Sequence, residues 1–69
     1  MTQYYISLNS MENILREAGA KRVAHAAKKK LREEVEAYAL DIAKQSLTFT
    51  SHAGRQTVKE SDINAVSKL

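Results

Sequence analysis

The chain has 69 residues, 28% of them charged and 43% hydrophobic, with a formal net charge of +3 and no cysteine. This composition is globular rather than disordered; it holds no apolar run near the ~20 residues needed to span a bilayer, and it excludes disulfides and thiolate metal sites. A domain this small buries only about 60% of the surface its unfolded chain exposes; with His25 and His52 too far apart for a local ligand pair, a partner chain is the expected stabiliser rather than a metal or other cofactor.

Residues 1–8 form the expected N-terminal arm, ahead of a domain over residues 9–69. The arm lacks the basic region and apolar core of a secretory signal, so an intracellular protein is expected. Tyr4 and Tyr5 in it are read as packing or unordered residues, with base stacking as a lesser alternative.

Met11, Ile14, Leu15 and Ala18 follow the i, i+3, i+4, i+7 spacing of one helical face. Asn9, with Glu12 three residues on, resembles an N-terminal cap. This first helix should run two to three turns and stop at Gly19, placed as a helix C′ residue.

From residue 25 to residue 53 no glycine or proline interrupts the chain. The stripe Ala27, Leu31, Val35, Tyr38, Ile42, Ser46, Phe49 and Ala53 advances in steps of three or four. A second stripe, Leu40, Ala43, Leu47 and Thr50, marks the later half. Two stripes imply burial from more than one side. A helix of that length would extend roughly 43 Å, too long for two short helices to cover. The uncovered face should meet another chain, most simply an identical one about a two-fold axis. A sustained coiled-coil heptad is excluded by the charges at residues 28–34.

Gly54 closes this helix, and Arg55, Gln56, Thr57 and Val58 form a short extended link. A last short helix begins near Lys59-Glu60-Ser61-Asp62, where acids suit the helix dipole, and Ile63, Val66 and Leu69 recur every three residues.

Charge is unevenly spread. Seven of the eleven basic residues fall between positions 16 and 32, and four of the eight acids between 33 and 41. That pattern fits a polyanion-binding surface. It also fits a solvated helix face with the i,i+4 pairs Lys29–Glu33, Lys30–Glu34 and Arg32–Glu36. Ser, His and Asp occur without any catalytic context, so an enzyme is not expected.

The loops narrow the choice. Ala18-Gly19-Ala20-Lys21-Arg22-Val23 resembles the first-loop motif of archaeal histones. His52-Ala53-Gly54-Arg55-Gln56-Thr57-Val58-Lys59 resembles their second, with Glu60, Asp62 and Ile63 continuing it. The spacing between the motifs fits without gaps, and the resemblance covers about residues 11–66. It implies an all-α histone fold, short–long–short, dimerising by a head-to-tail handshake of the long helices.

It further implies sequence-nonspecific binding, wrapping and compaction of double-stranded DNA by a chromosome-associated, cytoplasmic chromatin protein. The homodimer would assemble further on DNA, to a tetramer or longer, with a related histone as another possible partner. The alternative is a histone-fold subunit that heterodimerises in a transcription-regulatory complex.

The resemblance assigns roles residue by residue. Paired loops would present Arg22 and Thr57 to an inward-facing minor groove. Lys21, Lys59 and the helix-start amides would contact phosphate, joined by Arg16 and by Lys28 with Arg32. Arg55 and Asp62 would pair to hold the second loop. Phe49, His52, Asp62 and Ala65 would lie at a dimer–dimer contact, with His52 bonding Asp62 of the next dimer. Gly19 would keep adjacent turns of a DNA superhelix clear. Four positions depart from the family pattern: Asn13 and Gln56 replace an arginine and a lysine, Ala65 a larger apolar residue, and Ala24 a serine cap.

Overall fold

The computed structural model describes residues 4–67 and contains three α-helices among them: α1 (Leu8–Glu17), α2 (His25–His52) and α3 (Glu60–Ser67). The order is short–long–short, as expected. Packing divides the chain into two compact units, Met1–Ala37 and Tyr38–Leu69, with the boundary inside the unbroken α2.

In the first unit, α1 begins two residues earlier than the sequence pattern implies. Its N-cap is Ser7, not Asn9: the Ser7 hydroxyl accepts a hydrogen bond from the Ser10 amide at 3.0 Å. Ser7 has the extended backbone a cap needs (φ −77°, ψ 153°), and a hydroxyl three residues ahead of an amide serves as well as an asparagine. Glu12 is thereby free of capping duty. At the other end Gly19 takes φ +115°, Ala20 N–H reaches the Leu15 carbonyl and Gly19 N–H the Arg16 carbonyl, both at 3.0 Å. That pair of bonds is a Schellman closure, which requires a left-handed C′ residue. Met11 is the buried member of the predicted stripe, while Ile14 is 53% exposed.

The segment ahead of α1 is tied down where the sequence reading leaves it loose. The Glu36 carboxylate on α2 accepts the amides of Tyr5 (2.7 Å) and Ile6 (2.6 Å). The Arg32 guanidinium lies 3.9 Å from the centre of the Tyr4 ring, a cation–π distance. Residues 1–3 of the predicted arm lie outside the described residues.

In the second unit, α2 ends in another Schellman closure: Gly54 at φ +71°, Arg55 N–H to Thr50 carbonyl at 3.1 Å, Gly54 N–H to Ser51 carbonyl at 3.0 Å. The buried residues of α2 are Ser46 and Thr50, both polar. Ser46 satisfies its hydroxyl locally, by donating to the Ile42 carbonyl at 2.8 Å. Tyr38, Leu40, Leu47 and Phe49 are all between 46% and 65% exposed. Val66 on α3 is buried and Ile63 is 37% exposed; Leu69 lies outside the described residues.

Candidate nucleic-acid interface

Two loops carry exposed cations expected to contact DNA. Residues 18–24 join α1 to α2 and present Lys21 and Arg22, both exposed. Arg16 Nη1 donates to the Lys21 carbonyl at 3.4 Å, a long bond that links α1 to this loop. Residues 53–59 join α2 to α3 and present Thr57 and Lys59, also exposed. Among the described residues, no carboxylate lies within ion-pair distance of Lys21, Arg22 or Lys59.

The other predicted DNA contacts sit differently. Arg16 and Lys28 converge on one carboxylate, Glu12, each at 3.0 Å. The Lys28 hydrogen bond first, then that of Arg16, holds the Glu12 carboxyl below its ordinary range. Lys28 and Arg32, one turn apart and expected to act together, are engaged by different groups: Lys28 by Glu12 and Arg32 by the Tyr4 ring. Arg32 Nε is buried without a hydrogen-bond partner. Of the three i,i+4 pairs anticipated on α2, Lys30–Glu34 forms at 3.4 Å, while Glu36 is taken by the Tyr5 and Ile6 amides.

The second loop is organised by Asp62, 5% exposed. Arg55 grips it with both terminal nitrogens, Nη2 to Oδ1 at 2.9 Å and Nη1 to Oδ2 at 3.1 Å. Asp62 Oδ2 also accepts the Thr50 hydroxyl at 2.7 Å and the Lys59 amide at 3.0 Å. The last bond is a back-reaching cap, in which an N3 side chain satisfies the N-cap amide. The Arg55 hydrogen bonds above all, then the Lys59 and Thr50 bonds, hold Asp62 well below the usual carboxylate range against the opposing effect of burial. Arg55 Nη1 further donates to the Thr57 carbonyl at 2.7 Å.

Phe49, His52 and Ala65 are exposed, as an assembly contact needs, whereas Asp62 is buried with three donors on Oδ2 and one on Oδ1. A histidine from elsewhere would have only the spare acceptor site on Oδ1. Gly19 is accounted for by its backbone: at φ +115° a side chain is strained, although a Cβ there would meet nothing within 4 Å.

Glu12, Glu36, Tyr4 and Thr50 are the participants that sequence reasoning missed. Glu12 was findable, standing four residues before Arg16. Thr50 lay in the second stripe, where its spacing passed for an apolar position.

Helices of 10, 28 and 8 residues, joined by loops that each close on a left-handed glycine, define the class as an all-α histone fold. The chain belongs to the family described as histone-like transcription factor (CBF/NF-Y) and archaeal histone, which it matches over residues 5–66. It is similar to a subunit of the archaeal histone HAN1 of Thermococcus zilligii, 41% identical over 58 residues that cover 84% of this chain and 87% of that protein. It is likewise similar to probable archaeal histone 3 of Methanocaldococcus jannaschii, 48% identical over 52 residues, 75% of this chain and 78% of that protein.

Proposed function

We propose that the chain acts as a homodimer that binds duplex DNA without reading its sequence, wrapping and compacting it as a chromatin protein. The observation that carries this reading is the state of the loop cations. Lys21, Arg22 and Lys59 are exposed and lack a carboxylate partner among the described residues, as do Lys29 and Lys44 on α2, whereas Arg16, Lys28, Lys30 and Arg55 each have one. Cations left unpaired on loops are free to replace the counterions of a phosphate backbone. The start of α2 supports the same chemistry. Its first turn holds no acid, and Ala24 stands before it with only a backbone carbonyl to offer, so the opening amides keep their affinity for an anion.

In the dimer, the first loop of one chain lies beside the second loop of its partner, with Arg22 and Thr57 facing the minor groove. Assembly of dimers along DNA uses Phe49, His52 and Ala65. Family membership supports this arrangement.

The test is duplex affinity against salt. Each phosphate contact contributes about 0.9 to the slope of log affinity against log salt. Arg22→Ala should weaken binding to unrelated duplexes by a common factor. A changed preference among sequences at unchanged mean affinity would instead mean base readout.

A second reading has one observation in its favour: the Thermococcus zilligii relative is named as one subunit of its histone. On that reading the exposed face of α2 pairs with a different histone-fold chain in a regulatory complex. Homodimers that load on long DNA as purified exclude it.

A further inference from the structure

We propose that Thr50 is a positioning residue for the second loop, holding the Asp62 carboxylate so that Arg55 fixes the Thr57 backbone where the loop meets DNA. The inference rests on the DNA-binding reading and adds to it a residue on α2 that touches no nucleic acid.

The second loop has little apolar packing to shape it. Gln56, Thr57, Val58 and Lys59 are all exposed, with Val58 at 42%. Its conformation is held by polar bonds, and these run in series through one carboxylate. Thr50 donates to Asp62, Asp62 is gripped by Arg55, and Arg55 donates to the Thr57 carbonyl at 2.7 Å.

Among the described residues, the Thr50 hydroxyl is the only group of α2 that bonds this carboxylate. Arg55 and the Lys59 amide both belong to the loop itself. Beyond the backbone bond from the Arg55 amide to the Thr50 carbonyl, the Thr50 hydroxyl is what refers the side-chain network to the long helix. It is 2% exposed and its hydroxyl has one proton, within reach of both the Ser46 carbonyl (3.1 Å) and Asp62 Oδ2 (2.7 Å). The charged acceptor is closer and makes the stronger bond, so the proton goes to Asp62.

Removing the hydroxyl while keeping the shape leaves Asp62 bound only to groups that move with the loop. Thr57 then samples more positions, and some of the free energy of DNA binding is spent on ordering it.

Thr50→Val and Thr50→Ser separate this from simple stability. Duplex affinity of the intact dimer at fixed salt, its salt slope, and the Asp62 carboxyl titration followed by carbon NMR are the measurements. Thr50→Val should bind DNA about tenfold more weakly, the equivalent of one net hydrogen bond. Its salt slope should be unchanged, because Thr50 neutralises no phosphate, and Asp62 should titrate at higher pH. Thr50→Ser should restore both affinity and titration.

A folded Thr50→Val dimer that binds like the parent would overturn the inference and leave the DNA-binding reading standing. Equal losses in Thr50→Ser and Thr50→Val would also overturn it, since the hydroxyl would not be the cause. A parent chain that fails to bind duplex at all brings down the reading and the inference together. Should Thr50→Val not fold, Thr50→Ala is judged against Thr50→Ser by the same measurements.

Discussion

Asp62 shows how one side chain organises a loop. It accepts four hydrogen bonds from three residues, and all of them favour its charged form. A carboxyl held below its ordinary value binds fewer protons in the folded state than in the unfolded chain. The stability it contributes is complete above the ordinary carboxylate range and is lost as pH falls below 3.8, the usual aspartate value, toward its lower folded one. Glu12, also lowered, acts in the same direction. The thermal midpoint should therefore drop steeply on acidification below about pH 4. Asp62→Asn should flatten that drop by lowering the midpoint at neutral pH more than at pH 2. Circular dichroism melts across the range provide the check, and a variant whose curve parallels the parent's would mean that Asp62 is not the group responsible.

At the level of elements, the two loops are closed by the same device. Gly19 and Gly54 each sit at C′ with positive φ, and each supports a full Schellman pair of bonds. Neither glycine has a neighbour within 4 Å of a built Cβ, so a substitution costs backbone energy rather than a clash. Gly54, at φ +71°, lies near the left-handed well that an L-residue enters at about 1–2 kcal/mol. Gly19, at φ +115°, lies well outside it. Gly54→Ala should lower stability by about 1–2 kcal/mol and Gly19→Ala by more, at about 4–8 °C of melting temperature per kcal/mol. Equal, negligible shifts would mean that the loops relax to other turns. The helices between these loops are less self-sufficient than their caps, since the residues that α2 buries are Ser46 and Thr50.

For the whole molecule, that inversion is the argument for a partner. Tyr38, Leu40, Leu47 and Phe49 are left largely in water by a chain whose buried hydrophobic residues, among those described, are Met11 and Val66. Covering a side chain of this size stabilises by about 1.5–3 kcal/mol relative to leaving it exposed. A domain this small covers only part of its apolar surface by itself, and a partner about a two-fold axis would cover these four residues in both chains. Folding and dimerisation should then be one event, with a melting temperature that rises with protein concentration. Tyr38→Asp, near the middle of α2, should shift the equilibrium to unfolded monomer. A monomeric mass in sedimentation, together with a concentration-independent melt, would rule out this arrangement.

The sequence by itself determined the three helices, their lengths to within a residue or two, and the glycines that end the first two. These depend on local periodicity and on backbone rules that act within a few residues. The Arg55–Asp62 relation was legible through the family resemblance, as were Arg22 and Thr57 on the loops. Only the tertiary structure decided which charges are already engaged. Lys28 meets Glu12 across sixteen residues and Glu36 takes the Tyr5 and Ile6 amides across about thirty, and no pattern along the chain encodes such distances. Thr50 belongs with these. A threonine at helical spacing reads as one more buried position, and its hydroxyl acquires a role only when α3 carries a carboxylate to within 2.7 Å of it. Local conformation follows from neighbours in sequence, whereas the partner of a charge follows from neighbours in space.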